Sequence, residues 1–337
     1  MSDLDLNALS GYLEHHIPGL KGLQTSEKFS DGQSNPTYLL TASSGQYVLR
    51  RQPFGELLKS AHAVDREFRV IQALKSTAVP VPDAYHLCED ISVIGSQFYV
   101  MSYEPGRVFW APDLPSNSPD ERAQIYHEMN RVLAALHDVD IDAVGLTDFG
   151  RPGNYFERQV SRWSRQYRAS ETTRIPEMDN LIDWLPANLP PDDGKVSLIH
   201  GDYRIDNMVF HQDQPRVRAL LDWELSTLGH PFADLAYQCM QWRLDQNSAI
   251  AGLGSLDREA LGIPSEQSYI EDYCRHRQLP GIENWDFYLV FSFFRLAAIL
   301  QGVLKRAVDG NASSEKAHAY GKLAPVLASM AVEVLGT

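Results

Sequence analysis

Hydrophobic and polar positions follow different patterns in the two parts of the chain, and the change falls near residue 104. Before it, short apolar runs typical of strands are separated by turn signals such as Asp31-Gly32 and Ser44-Gly45. One stretch with helical periodicity, residues 60–75, interrupts these runs. The predicted strands are residues 38–41, 46–51, 84–88 and 97–102. The first part of the chain is therefore predicted to form a small sheet with one helix.

After residue 104 a helical period dominates. Helices are predicted at residues 119–137, 155–168, 232–243, 265–277, 285–307 and 314–334. Short strands are predicted among them at residues 196–200, 208–211 and 217–221. We predict an α+β protein with a β-rich lobe at residues 1–103 and a larger, mainly helical lobe at residues 104–337. Pro105-Gly106 marks the predicted linker.

Charge and cysteine content narrow the classes of function. The 337 residues carry 30 Lys and Arg against 44 Asp and Glu, a net charge of −14, which argues against nucleic acid or an anionic membrane as a partner. Three scattered cysteines do not make a disulfide framework or a zinc site, and they fit a reducing compartment. Because no basic segment followed by an apolar core opens the chain, we expect no signal peptide and a cytoplasmic location.

The most apolar stretch, residues 287–304, is long enough to raise the question of a membrane span. Arg295 lies in the middle of it, and Ser292 and Gln301 interrupt it. A charged residue at mid-span is costly in lipid, so we predict a buried helix of a large domain instead.

Candidate chemistry concentrates in residues 198–211, which read Leu-Ile-His-Gly-Asp-Tyr-Arg-Ile-Asp-Asn-Met-Val-Phe-His. Asp202 precedes Asn207 by five residues, and Asp222 ends an apolar run fifteen residues after Asn207. Phosphoryl transfer requires one carboxylate that accepts the proton of the attacking hydroxyl, and oxygen ligands that hold Mg²⁺ against nucleotide phosphates. These residues therefore indicate a magnesium- and nucleotide-dependent phosphotransferase.

The motif H-G-D-x-x-x-x-N, followed by an apolar strand and D-W-E, resembles the aminoglycoside phosphotransferase family, which shares its catalytic core with choline kinases. The sequence around Val48-Leu49-Arg50-Arg51 and that of the helix 154–168 most resemble the phosphotransferase domains related to those fused to acyl-CoA dehydrogenases. The resemblance implies a bilobal protein-kinase-like fold and transfer of the γ-phosphoryl group of ATP to a hydroxyl of a small molecule.

The resemblance also implies roles for single residues. Asp202 matches the catalytic aspartate, and Asn207 and Asp222 match the metal ligands. His200 matches a position that packs and orients the catalytic loop, and Asp234 matches an aspartate that braces the loop through its backbone.

Two further residues of this region leave alternatives open. Arg204 lies inside the loop and either contacts phosphate or acceptor or is a solvated arginine. Glu224 stands where a protein kinase has glycine, and it either supports a second metal or makes an ordinary hydrogen bond.

The small lobe must supply a cation for the phosphates, itself held by a carboxylate. Arg50, at the end of a predicted strand, is our candidate in place of the usual kinase lysine, and Glu67 is its expected partner. Glu67 falls on the apolar stripe of the predicted helix 60–75, although a Glu at the flank of that stripe is the simpler alternative. Arg51 would point to the opposite face of the strand.

The predicted phosphate loop spans residues 29–37, where backbone N–H groups of Gly32, Ser34 and Asn35 are candidates for contacts to phosphate. The family resemblance places adenine at the backbone near Met101 and Tyr103.

Two features concern the acceptor. Asp234 follows Asp222 at a distance of only twelve positions, which leaves no room for a peptide-docking activation segment and favours a small molecule as acceptor. One face of the predicted helix 155–168 carries four arginines, which are Arg158, Arg162, Arg165 and Arg168. They suit an anionic acceptor such as a hydroxyacyl compound, unless they are simply a solvated face. An aminoglycoside or amino-alcohol kinase and a nucleotide-binding pseudokinase are the alternatives, and the oligomeric state stays open.

Overall fold

The computed structural model describes residues 4–29, 35–54, 62–310 and 316–336. Its chain divides into two compact units, each assembled from three stretches of sequence. The first unit consists of Met1–Val108, Asp140–Leu146 and Asn207–Ser226. The second unit consists of Phe109–Val139, Thr147–Asp206 and Thr227–Thr337.

The first unit contains a five-stranded antiparallel sheet with the strand order β1-β2-β3-β5-β4. Its elements are α1 (Leu6–His16), β1 (Leu23–Lys28), β2 (Thr37–Ala42), β3 (Gly45–Arg51), α2 (Val64–Leu74), β4 (Ala84–Cys88) and β5 (Phe98–Ser102). Strand β2 buries every second residue, so Tyr38 and Leu40 reach a core that they share with Leu9 and Leu13 of α1. The central strand β5 is buried along most of its length.

A two-stranded antiparallel ribbon, β7 (Met208–Phe210) and β8 (Val217–Leu220), also belongs to the first unit. The predicted linker pairs with it, because Arg107 and Phe210 exchange two backbone hydrogen bonds of 2.8 Å. Gly106 is required at this point, since a Cβ there would lie 2.1 Å from the carbonyl oxygen of Phe210. The chain that leaves the sheet is thus fastened to the ribbon.

The second unit is mainly helical. Its helices are α3 (Pro119–His137), α4 (Tyr155–Ser170), α5 (Pro176–Ala187), α6 (Phe232–Met240), α7 (Arg258–Leu261), α8 (Glu266–His276), α9 (Trp285–Val308), α10 (Lys316–Gly321) and α11 (Leu323–Leu335). Strands β6 (Ser197–Ile199) and β9 (Thr227–Gly229) form a short antiparallel pair. Phe156 of α4 packs its ring against Phe287, Tyr288 and Phe291 of α9, at centroid distances of 5.0–5.5 Å.

Helix α9 contains the apolar stretch that raised the question of a membrane span. Among the described residues it is the one helix long and apolar enough to cross a membrane by length and composition. Of its most apolar window, 78% is buried inside the protein, as in the core helix of a folded domain.

The antiparallel sheet of the first unit and the helices of the second confirm the predicted α+β class. The predicted helix 60–75 begins at Val64 in the structure, and residues 55–61 lie outside the described residues. The predicted helix 314–334 is two helices, α10 and α11. Five elements were not predicted, namely α1, β1, α5, α7 and β9. Strand β1, Leu-Gln-Thr-Ser-Glu-Lys, is an edge strand whose polar, exposed residues show no apolar alternation.

Candidate active site

The predicted catalytic loop of the second unit is held by Asp234. Strand β6 is buried at all three positions and leads directly into His200-Gly201-Asp202. Asp234, in the first turn of α6 and 1% exposed, accepts the backbone N–H of His200 at 2.6 Å and that of Gly201 at 2.8 Å. Asp202 in turn donates its backbone N–H to Nδ1 of His200, at 3.2 Å. The loop backbone that leads into Asp202 is therefore fixed.

The charge at Asp234 is compensated by hydrogen-bond donors. Burial raises the pKa of Asp234, but the hydrogen bonds from His137 and from the backbone N–H of His200 outweigh burial, so the pKa of Asp234 lies below its usual range. Burial lowers the pKa of His137, whose Nε2 lies 3.4 Å from the carboxylate. A buried anion beside a mostly neutral imidazole thus supports the loop.

Tyr237 of α6 orients the predicted base. Its hydroxyl donates to Oδ1 of Asp202 at 2.8 Å. Burial and then the Asp202 charge raise the pKa of Tyr237 well above its ordinary value, so the phenol remains a donor at neutral pH. A charge-assisted hydrogen bond of this kind restricts the rotation of the Asp202 carboxylate.

Arg204 is paired inside its own loop. Its Nε lies 3.0 Å from Oδ1 of Asp206, and its Nη2 lies 2.5 Å from Oδ2 of the same residue. Burial opposes the charge on Arg204, but Tyr237, Asp206 and Asp202 raise its pKa above the ordinary value. The Arg204 side chain is 29% exposed, and Asp206 is the carboxylate that it contacts.

The two predicted metal ligands lie at one end of the β7–β8 ribbon in the first unit. Asn207 directly precedes β7, and its carbonyl accepts the N–H of Leu221 at 2.8 Å. This bond extends the ribbon by one residue, so Asp222 directly follows the residue that pairs with Asn207. Asp222 has φ 63° and ψ 62°, a left-handed conformation that is uncommon outside glycine and that concentrates at functional sites.

Arg50 connects three carboxylates of the first unit. Its Nε lies 2.9 Å from Glu67, and its Nη2 lies 2.6 Å from Asp222 and 3.7 Å from Glu224. The Nε–H does not point along the Glu67 oxygen, so that contact is an ion pair without a well-aligned hydrogen bond. Burial opposes the Arg50 charge, yet Glu67 and Asp222 outweigh it and raise the pKa of Arg50. Asp222 therefore already contacts a cation.

Glu67 is fully buried and has two further partners. The amide Nδ2 of Asn35 donates to it at 2.8 Å, and the hydroxyl of Tyr99 donates at 3.2 Å. Burial raises the pKa of Glu67 to about 7, and Arg50 opposes that rise. No sequence signal marked Tyr99 as a partner, because a tyrosine in a buried strand is ordinary core.

The other predicted nucleotide contacts divide between described and undescribed residues. Gly32 and Ser34 lie outside the described residues. Asn35 is described, but the contact seen is that of its side chain with Glu67. Met101 is buried in β5, and Tyr103 follows that strand. Arg51 points away from Glu67, since it donates to the Tyr38 hydroxyl at 3.4 Å and to its neighbour's carbonyl.

The four arginines of α4 have different surroundings. Arg168 is neutralised by Asp179 and Glu171, at 2.5 and 3.4 Å. Arg158 donates to the carbonyls of Arg151 and Pro152, and Arg165 donates to that of Ser161. Arg162 is exposed and lies over the Trp163 ring, 5.2 Å from its centroid. Three of the four thus lack an ion pair to a carboxylate of the described chain.

Arg295 is a residue near the loop whose role the sequence did not indicate. It is 8% exposed, lies in the apolar helix α9, and donates from Nη2 to the Gly201 carbonyl at 2.8 Å. Its guanidinium carbon lies 5.5 Å from the Tyr237 ring centroid and 5.9 Å from that of Trp163. The sequence does show a charged residue within an apolar run. That observation argued against a membrane span but did not indicate a position near the loop.

A separate cavity of about 110 Å³ opens near the start of α4. Asn154, Lys195, His230 and Tyr288 are among its lining residues, whereas the predicted catalytic residue Asp202 is not. It therefore does not coincide with the catalytic loop.

Comparison with known proteins places these features in context. Residues 25–278 match the family model described as the phosphotransferase enzyme family. Acyl-CoA dehydrogenase family member 10 of Mus musculus is 48% identical over 325 residues, which cover 95% of this chain and 30% of that protein. Acyl-CoA dehydrogenase family member 11 of Rattus norvegicus is 45% identical over 316 residues, covering 92% and 41%. The chain spans less than half the length of these curated relatives.

Among solved structures, a protein of Ralstonia eutropha JMP134 provisionally named an aminoglycoside phosphotransferase is 50% identical. Its TM-score is 0.91, and the match covers 98% of both chains. An aminoglycoside phosphotransferase in ternary complex with ADP and hygromycin B is 15% identical, with a TM-score of 0.64 and coverage of 97% and 98%. These likenesses confirm the predicted kinase-like phosphotransferase fold.

Proposed function

Because the chain belongs to the phosphotransferase enzyme family, we propose that it transfers the γ-phosphoryl group of ATP to a hydroxyl group of a small anionic acceptor. As an enzyme it is a phosphotransferase that acts on hydroxyl groups. ATP as co-substrate agrees with the nucleotides that related structures contain. The observation that carries the proposal is the loop of Asp202. Asp234 fixes the backbone of this loop, and Tyr237 holds the Asp202 carboxylate.

Asp202 is the general base of the proposed reaction. It accepts the proton of the acceptor hydroxyl while the acceptor oxygen forms its bond to the γ-phosphorus. The bond between that phosphorus and the bridging oxygen of ATP breaks, and ADP leaves. Tyr237 keeps the carboxylate oriented, and Arg50 offsets the negative charge of the phosphates.

The donor set fits magnesium. An amide oxygen of Asn207 and a carboxylate of Asp222, both at the end of the ribbon, are hard oxygen ligands of the kind that Mg²⁺ takes alongside nucleotide phosphates. The contact of Asp222 with Arg50 indicates that this carboxylate is placed to receive positive charge. When bound, Mg²⁺ would offset the charge of the phosphate oxygens. Glu224, 3.7 Å from Arg50, is held at the edge of this cluster.

An anionic acceptor is favoured by the charges of the second unit. In a chain of net charge −14, Arg158, Arg162 and Arg165 line one face of α4 without an ion pair to a carboxylate of the described chain. The related proteins named acyl-CoA dehydrogenases suggest a hydroxyacyl compound, either as the free acid or as a thioester. A polycationic amino sugar would meet repulsion from such a face.

The decisive experiment measures ADP release with ATP, Mg²⁺ and a panel of hydroxy acids, hydroxyacyl thioesters, amino alcohols and aminoglycosides. We expect anionic acceptors to stimulate ADP release by the parent protein and not by the Asp202→Asn variant. Stimulation by aminoglycosides alone would favour the amino-sugar alternative. Nucleotide binding without turnover under any acceptor would favour a pseudokinase.

A further inference from the structure

Arg295 is a buried cation with few partners. Its side chain is 8% exposed, yet one carbonyl, that of Gly201, is the acceptor it contacts in the described part of the chain. Arg122 is buried to the same extent and donates to three carbonyls, those of Leu114, Pro115 and Leu261. A guanidinium has five N–H donors, so Arg295 retains more unused hydrogen-bonding capacity than Arg122.

The remaining donors of Arg295 are not sealed in. None of its nitrogens is among the fully enclosed side-chain atoms that lack a hydrogen bond in the described chain. The guanidinium lies near two aromatic rings, Tyr237 at 5.5 Å and Trp163 at 5.9 Å. Its remaining N–H groups are therefore not fully enclosed by the described chain, and they lie beside two aromatic rings.

A second arginine shares one of these rings. Arg162 lies 5.2 Å from the Trp163 centroid, and within the described residues no ion pair joins either Arg162 or Arg295 to a carboxylate. Burial raises the pKa of Tyr155 to about 12, and the charges of Arg295, Arg162 and Arg158 all oppose that rise, so the three guanidinium groups act on the same side chain. Two guanidinium groups thus lie beside the Trp163 ring.

Burying a cation without a counter-charge is costly, and such charges are normally paired. The cost is offset when a ligand supplies the anion, and a guanidinium is suited to the paired oxygens of a carboxylate or phosphate. Arg295 contacts Gly201, the residue next to Asp202. An anion bound to it would lie close to the base.

We propose that Arg295, together with Trp163 and Arg162, forms the subsite that binds the anionic group of the acceptor. One carboxylate or phosphate of the acceptor docks on the Arg295 guanidinium, its carbon chain lies against the Trp163 indole, and its hydroxyl lies at Asp202. The inference rests on the proposed function and assigns its specificity to these residues.

The first test does not depend on turnover. Thermal unfolding is followed in propionate, in inorganic phosphate and in chloride at matched ionic strength, for the parent, Arg295→Met and Arg306→Met. Arg306 is an exposed arginine of the same helix, so its variant controls for the loss of one charge. We expect the parent and Arg306→Met to be stabilised by propionate or phosphate beyond chloride, and Arg295→Met to lose that increment. Equal increments in all three proteins would overturn the proposal, as would no increment in the parent.

The two anions separate the sources of the ligand group. An increment with propionate alone points to a carboxylate, and one with phosphate alone points to a phosphate such as those of coenzyme A. If Arg295→Met does not fold, Arg295→Lys and Arg162→Gln replace it. Lysine keeps the positive charge but lacks the paired N–H donors of a guanidinium, so we expect a smaller stabilisation by the anion than in the parent.

The second test uses the acceptor found by the ADP-release panel, with β-hydroxybutyrate, its methyl ester and its coenzyme A thioester as the starting set. For an anionic acceptor, Arg295→Lys should raise the acceptor KM by roughly tenfold or more, while the ATP KM stays near the parent value. A fall in kcat with an unchanged acceptor KM would mean that Arg295 only braces Gly201. Acceptor-stimulated turnover in the parent tests the proposed function separately, so the two failures are distinguishable.

Discussion

The contribution of the Arg50–Glu67 ion pair to stability can be predicted quantitatively, because the first unit also contains an exposed ion pair with the same N···O distance. Arg50 and Glu67 approach to 2.9 Å with side chains 12% and 0% exposed. Lys75 and Asp83 approach to 2.9 Å with side chains 66% and 49% exposed. The two pairs differ in burial and not in distance, which makes one a control for the other.

The perturbation is a double-mutant cycle of Arg50→Met, Glu67→Gln and the double variant. Arg50→Met removes the charge that opposes the rise in the Glu67 pKa, so the buried Glu67 takes up a proton at pH 7 and keeps Asn35 and Tyr99 as its side-chain partners among the described residues. We expect the lost ion pair and this protonation to lower the free energy of unfolding by about 3 kcal/mol. Glu67→Gln leaves Arg50 with Asp222, so a smaller loss of about 1–2 kcal/mol is expected. In the double variant the introduced glutamine can still accept from Asn35, so the coupling should be about 2 kcal/mol.

The assay is urea unfolding of the four proteins of each cycle at pH 7, together with the ATP KM of the proteins that remain folded. The control cycle of Lys75→Met and Asp83→Asn should give a clearly smaller coupling, because solvent screens exposed charges. Each single variant at Arg50 or Glu67 should raise the ATP KM, and the double variant should raise it by less than the product. A coupling no larger than that of the exposed pair would refute the view that burial makes Arg50 and Glu67 one unit.

Three further predictions concern the second unit and the metal ligands. Asp202→Asn should abolish transfer and leave the affinity for Mg-ATP within several-fold, whereas Asp222→Asn should weaken nucleotide binding and turnover together. Calorimetry measures the affinity and ADP release measures the turnover of both variants. An unchanged magnesium dependence in Asp222→Asn would contradict the role of Asp222 as a metal ligand. Tyr237→Phe removes the hydrogen bond to Asp202 and should lower kcat about tenfold at an unchanged ATP KM, so an unchanged kcat would show that the bond does not matter. Burial lowers the pKa of His230 to about 4, so the unfolded chain takes up its proton first as pH falls from 7 towards 4, and stability is lost in that window. Between pH 7 and pH 5 the loss from this group should be about 2 kcal/mol in urea unfolding. His230→Asn should reduce the slope while the exposed His127→Asn does not, and equal slopes in both would contradict the assignment.

Local sequence patterns predicted the helices and strands whose own residues include a capping signal or an apolar alternation. The helix from Pro119 to His137 was predicted with its observed bounds, because Ser118 caps its first turn and Pro119 favours the first helical position. Alternation likewise predicted β2 and β3 to within about one residue at each end. The edge strand β1 has no such signal, since its pairing with β2 comes from the backbone and not from apolar side chains.

The candidate site shows the same division. The stripe of the predicted helix 60–75 indicated that Glu67 faces inward, and the structure buries it completely beside Arg50. Tyr237 and Arg295 could not be predicted as neighbours of the catalytic loop, because they lie on helices 35 and more residues away, and only tertiary packing decides which of their faces meets the loop. The family likeness to the phosphotransferases, first seen in the motif around Asp202, is confirmed by the match over residues 25–278.

The discontinuous make-up of the first unit has a consequence for synthesis on the ribosome. Its last stretch, Asn207–Ser226, supplies the ribbon to which Arg107 is fastened and the carboxylate that meets Arg50. The unit therefore cannot close until Ser226 has been made, 118 residues after Val108 (226 − 108), and this delay lasts about 6 to 24 seconds at typical elongation rates. Until then the sheet has emerged with its arginine uncompensated by Asp222, while Phe109–Val139 of the second unit is already outside. The first unit therefore closes only after two of the three stretches of the second unit, Phe109–Val139 and Thr147–Asp206, have already been made.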